Sequence, residues 1–217
     1  MRSALLPTLS GLSLLAALPV LAATPPTVEQ VKAWTPAEQA AMGVNINKLV
    51  PITLLGGEQA YLASVSYSEA PRNYWAGYLL IRPALQQARP LDEFGGQYNE
   101  ITPLEPYAES QKVVLIGAAG SGQGTSESSY SVVTFSGWTP KSLYSASGSD
   151  NSGMCGQMSE TYCKGNNVFI NALTGPVPVG KLGLVVTDVS YSSPDLETTP
   201  AKFTHETQVI IIDKPQR

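Results

Sequence analysis

Apolar and polar residues change their spacing once along this chain, near residue 49, and the switch predicts its architecture. Before it, Val28, Val31 and Trp34 recur at helical spacing. Thr27 and Gln30 are placed as a capping box for this segment, an N-cap hydroxyl with an N3 side chain that reaches back. Thr35, Pro36 and Glu38 have the same form ahead of Ala40, Ala41 and Met42, and Gly43 suits the stop. Two short helices are therefore expected between Val28 and Met42, in an N-terminal segment spanning residues 24–48 and packed on the main domain.

From Leu49 the period becomes two. Tyr61, Ala63, Val65 and Tyr67 alternate with Leu62, Ser64 and Ser66. The run LVPITLL stops at Gly56-Gly57-Glu58 and can fold back on that strand as a hairpin. Further strands are expected at Tyr74–Ile81, Lys112–Gly117, Tyr130–Phe135, near Leu143, and at Val168–Ala172, Leu182–Val189 and Phe203–Ile212. The stretch AAGSGQGTSESS reads as the loop between two of them. Pro83–Ser110 shows neither period and reads as a long ordered excursion, with a helical candidate at 84–93. The strand count is eight or nine. The fold class is mainly β, an antiparallel β-sandwich or open barrel over residues 49–217.

The first 23 residues change the picture of where this fold works. Arg2, an apolar run from about Leu12 to Leu18 and small residues at the exit have the form of a secretory signal peptide. Cleavage after Ala22 or Ala23 suits a signal peptidase, with Ala23 preferred. The mature protein is expected to be soluble, periplasmic or extracellular, because no later apolar run is long enough to span a bilayer. Cys155 and Cys163 are the only cysteines, and in an oxidising compartment they should pair. They lack the C-x-x-C spacing of a redox pair, and one histidine is too few to complete a zinc site with them.

Composition then excludes some partners. The formal net charge is −4 and only 14% of residues are charged, with no basic cluster, so nucleic acid and anionic lipid find no electrostatic footprint. Gly117–Gly124 follows a strand-like run, but its glycines lack dinucleotide-site spacing, no Walker lysine is present, and the next segment is strand-like. VVLIGAAGSGQG followed by YSVVTFSGW resembles one blade repeat of integrin-type propellers. It occurs once and carries no D-x-D-x-D-G calcium loop, so no residue role follows from the resemblance. Asp150 and Asn151 could offer hard oxygens to calcium, but Asp, Asn, Ser and Gly together read first as an Asx-capped turn. Neither cofactor nor metal is expected.

Catalysis has two sources in this sequence. His205 is the sole imidazole and sits in KFTHETQVIIID with no G-x-S-x-G elbow elsewhere, which reads as a partly covered strand histidine. Asp92, Glu93, Glu100, Glu105 and Glu109 lie in the proline-rich excursion, where a glycosidase-like acid and base could meet. Aromatics offer a third chemistry, stacking on a ligand. Tyr74, Trp75, Tyr78, Tyr98, Tyr107, Trp138 and Tyr144 are candidates, and Tyr98, Tyr107 and Trp138 fall in expected loops or strand ends, where contact residues concentrate. The expected function is therefore a secreted, non-enzymatic binding protein of the envelope or exterior, with a protein or glycan partner contacting Tyr98, Tyr107 and Trp138. The alternatives are a glycan- or ester-directed hydrolase using the loop carboxylates or His205, and a structural subunit of a surface assembly.

Overall fold

The computed structural model describes residues 24–105, 107–156 and 162–215. The expected signal peptide at 1–23 and part of the disulfide loop lie outside the described residues. Among the described residues, two short helices, α1 (Val28–Trp34) and α2 (Ala37–Ala41), precede eleven strands. Thr27 caps α1 as expected: its hydroxyl accepts from the Gln30 amide while the Gln30 side chain accepts from the Thr27 amide. The second capping box does not form. Thr35 ends α1 instead and donates its hydroxyl to the Val31 carbonyl at 2.8 Å, so Pro36 occupies the N-cap of α2 without a side-chain bond. Gly43, at φ +71°, turns the chain out of α2.

The first sheet holds β1 (Val44–Thr53), β2 (Gln59–Tyr67), β3 (Ala76–Arg82) and β4 (Gln87–Pro90) in that order, all antiparallel. Its middle strands are buried on both faces. Ala60, Leu62, Tyr78 and Leu80 face the second sheet, whereas Tyr61, Ala63, Val65, Leu79 and Ile81 form another core with Val31 of α1. This explains why β2 and β3 carry apolar residues at nearly every position.

The second sheet contains β5 (Tyr98–Pro103), β6 (Val114–Gly122), β7 (Thr125–Ser136), β8 (Thr139–Asp150), β9 (Cys163–Ala172), β10 (Lys181–Ser193) and β11 (Lys202–Asp213), in the order β11-β10-β9-β8-β7-β6-β5. Val114, Ile116, Val133 and Phe135 pack toward the first sheet. On their opposite face, Leu115 and Val132 join Val168, Ile170, Leu184 and Val186 in a third core. The sheet reaches that arrangement by curling at β8–β9, where only Ser149↔Asn166 and Asp150↔Gly165 pair. Asn166 holds the corner, its Oδ1 accepting from the Ser149 amide and its Nδ2 donating to the Ser147 carbonyl.

Two sequence expectations change here. Pro83–Ser110 is not irregular: it contributes β4 to one sheet and β5 to the other, and its helical candidate is two single 3-10 turns, Pro83–Leu85 and Asp92–Phe94. Those two strands account for the excess over nine. The Gly/Ser-rich stretch is not a loop either, since β6 and β7 run through it and meet at Gln123-Gly124. Both turn residues have positive φ, +53° and +77°, as a two-residue hairpin turn requires.

The sheets are joined by polar latches as well as by the core. The Tyr78 hydroxyl donates to the Gly117 carbonyl and accepts from the Glu100 amide at 2.7 Å. Asn99 Nδ2 donates to the carbonyls of Val65 (2.7 Å) and Gly77 (2.6 Å). Burial pushes the Tyr78 phenol well above its ordinary range, so it stays protonated and able to donate. Among the described residues, no helix is long and apolar enough to cross a membrane. Cys155 and Cys163 are bonded, with Cα atoms 5.0 Å apart.

Candidate functional site

Beyond the reach of the first sheet, β6, β7 and β8 continue with small polar residues and leave a cleft of about 840 Å³. The pairing register explains its floor. Ala118, Ser129 and Ser147 stand in one cross-strand row, and Gly120, Glu127 and Ser149 in the next. Both rows continue the face that carries Ile116 and Val114 further along β6. Residues 73–74 and 95–97 make the wall, and Asn166 closes the far end.

The wall is fixed by one amide. Gln97 Nε2 donates to Asn73 Oδ1 at 2.8 Å and to the Ser121 carbonyl at 2.7 Å, while its Oε1 accepts from the Ser121 amide and hydroxyl. Asn73 holds φ +79°, a left-handed conformation that asparagine tolerates, and this presents Tyr74 at the mouth with 65% of its surface exposed. A Cβ built on Gly120 meets nothing within 4 Å, so the floor is open at its centre. The lining offers backbone amides, hydroxyls and carboxamides, one aromatic ring and a single carboxylate, Glu127. Such a surface can hydrogen-bond and stack on a neutral polar ligand. It brings no acid–base pair together.

A second recess, of about 430 Å³, lies on β10 and β11. Asp188 and Glu206 are directly paired there, as are Ser190 and Thr204. Both Asp188 oxygens are occupied, one by the Ser190 hydroxyl at 2.8 Å and the other by Asn166 Nδ2 at 3.2 Å. His205 pairs with Val189, so alternation turns its ring to the opposite face from Asp188 and Ser190. It is exposed rather than partly covered.

The residues singled out from sequence are not gathered in one place. Tyr98 lies on β5, not in a loop, 53% exposed, and donates its hydroxyl to Glu100 Oε2 at 3.0 Å. It pairs with Ala119 and points away from the cleft face. Tyr107 is in the β5–β6 connection and is 99% exposed. Trp138 occupies the β7–β8 turn, at the other end of β7 from the cleft. Its ring packs against the inter-sheet core, with the Arg82 and Arg89 guanidinium carbons 4.9 and 4.5 Å from its centroid. Two cations on one ring make it a packing element between the sheets. Among the acids, Glu105 binds Lys214 Nζ at 2.8 Å and the Lys112 amide at 2.8 Å, which fastens the β5–β6 connection to the chain after β11. Asp150 and Asn151 do form an Asx-type turn. Asp150 accepts from the Ser152 amide and the Tyr191 hydroxyl, and Asn151 accepts from the Lys164 amide. Burial by itself would raise Asp150, but the bonds from Ser152 and Tyr191 outweigh it and hold the carboxyl below its ordinary value of 3.8.

The sequence pattern counts Tyr74 among the candidate stacking aromatics but places it at the start of a strand, outside the favoured set of Tyr98, Tyr107 and Trp138. The available signal was Pro71-Arg72-Asn73 immediately before it, a turn-forming run that ends the loop at Tyr74. The serines and glycines of the floor gave no comparable signal. Compared with protein-family models, curated proteins and solved structures, the chain matches none.

Proposed function

We propose that this protein is an exported, non-enzymatic binding protein of the cell envelope or exterior, and that the cleft over β6–β8 takes a neutral, hydroxyl-rich ligand such as a glycan segment. One observation carries the reading: a cleft of about 840 Å³ whose floor is Gly, Ala and Ser with one carboxylate, Glu127, among them, and with Tyr74 exposed at its mouth. Sugars are bound by dense hydrogen-bonding groups beside an aromatic platform, and small floor residues let a flat ring approach the sheet. The signal-peptide pattern at 1–23 and the Cys155–Cys163 bond support the compartment.

The test exploits the open space above Gly120. Gly120 has no positive φ and no neighbour to clash with, so Gly120→Trp fills the cleft while the sheet stays intact. Calorimetric titration against a panel of neutral and acidic oligosaccharides should find a ligand for the wild type. Gly120→Trp should abolish that binding, and Tyr74→Ala should weaken it about tenfold, equivalent to about 1.4 kcal/mol. A ligand that binds Gly120→Trp as well as wild type does not use the cleft.

A hydrolase is the second reading, and the opposed Asp188 and Glu206 favour it. Paired carboxylates about 5 Å apart serve retaining glycosidases. Chromogenic glycosides turned over by wild type but not by Asp188→Asn would establish it.

A further inference from the structure

Among the described residues, β1, β4, β5 and β11 stand at the ends of the two sheets, and three of these four are blunted against pairing with another chain. β1 is interrupted by a register shift between Ile46 and Lys48, contains Pro51 and is bridged at Ile52 by Gln111. β4 is four residues long and ends at Pro90. β5 is six residues long, ends at Pro103, and has its Ile101 carbonyl taken by Lys48 Nζ at 2.7 Å. These are the devices by which proteins prevent edge-to-edge association.

β11 has none of them. It runs for twelve residues without proline, and its register with β10 continues from Lys202 to Asp213 without a shift. Ten of its twelve residues are exposed, and only Ile210 and Ile212 are half-buried. Phe203, Val209 and Ile211 are 67%, 55% and 45% exposed on one face, and Phe169 of β9, in the same cross-strand row as Thr207, adds 53%. One long, uninterrupted edge beside an apolar face stands out against three protected ones.

We infer that β11 is a self-association edge, where a second copy of this chain adds its own β11 antiparallel across a two-fold axis at Thr207. The strand is complementary to itself in that register. Phe203 meets Ile211 of the other copy, His205 meets Val209, Thr207 meets Thr207, Lys202 meets Ile212 and Glu206 meets Gln208. No two like charges are directly opposed, and the Phe–Ile contact is made twice. Moving the axis to Glu206 would set two carboxylates face to face. Moving it to Gln208 would place Phe203 against Asp213. The pairing is isologous and uses both copies' β11 edge, so it closes as a dimer. This inference stands on the strand edges and is independent of the cleft.

Thr207 supplies the test, because its side chain is exposed in the single chain and opposes itself in the dimer. Sedimentation and light scattering of the wild-type mature protein should give the mass of two chains at micromolar concentration. Thr207→Lys and Thr207→Glu should each run as one chain, with circular dichroism unchanged, and an equimolar mixture of the two should recover the two-chain mass. A wild type that is monomeric at 100 µM, a dimer that survives Thr207→Lys, or open-ended polymers would each overturn the inference. A monomeric wild type that takes up an extended segment of some other protein along β11 would overturn it too, in favour of a different occupant.

Discussion

Replacing Tyr78 by phenylalanine deletes one oxygen atom, and the structure says that atom joins the two sheets. The ring is 1% exposed and its edge contact with Phe94, at 6.5 Å between centroids, does not involve the hydroxyl, so the substitution isolates the polar latch. The hydroxyl serves the Gly117 carbonyl and the Glu100 amide, on residues directly paired between β5 and β6. Losing one net hydrogen bond costs about 1 kcal/mol, and leaving a buried backbone group unsatisfied adds about 1–3 kcal/mol. Partial re-pairing of Glu100 with Gly117 offsets some of this, so Tyr78→Phe should destabilise by about 2–3 kcal/mol. For a chain of this length that corresponds to a fall of about 4–12 °C in Tm. Urea unfolding followed by circular dichroism measures it, with exposed Tyr107→Phe as the control expected within about 0.5 kcal/mol of wild type. If Tyr78→Phe also lies within about 0.5 kcal/mol, the hydroxyl does not latch the sheets and the reasoning fails.

Two further outcomes follow from local chemistry. Because the Cys155–Cys163 bond closes a loop eight residues apart in sequence, the Cys155→Ala/Cys163→Ala variant should lose about 2–3 kcal/mol, read from the same urea curves; intact mass should show wild type gaining two hydrogens on reduction. Glu58 is held below its ordinary value of 4.5 by its hydrogen bond with Arg82 (2.8 Å), against the opposing effect of burial and with the Arg82 charge adding to it. A depressed folded-state pKa contributes stability above the ordinary carboxylate value and loses it as pH falls through the lower folded value. Wild type should therefore exceed Glu58→Gln by up to about 1 kcal/mol at pH 7, and the gap should close as pH falls below the ordinary carboxylate value and through the lowered one; a gap that widens in acid would contradict the pairing.

Features that depend on neighbours a few residues away were legible in the amino-acid order. The capping of α1 by Thr27 and Gln30, the β2 alternation, the turn at Gly56-Gly57 and the Cys155–Cys163 loop are all local, and each formed. The mainly β, two-layered class followed from the same signals. Thr35 marks where local logic fails: one hydroxyl can serve the helix before it or the helix after it, and the choice is made by packing.

The remaining features depend on residues distant in the chain. Ala118–Gly122 and Thr125–Ser129 have no apolar period because no core covers them, and they are strands only because adjacent ladders satisfy their backbones. That is why this stretch carries the sequence pattern of a loop. β4 and β5 are short, proline-ended edges of two different sheets, so neither could show its pairing before the crossover existed. The contacts of the Trp138 ring with Arg82 and Arg89 exist only because the fold brings those two cations to it from another sheet. His205 and Ser190 share a sheet yet face apart, because register fixes the side on which every residue emerges. The free edge of β11 is the clearest case: nothing local marks it, and its exposure exists only because the sheet order places it at one end, beside β10 alone.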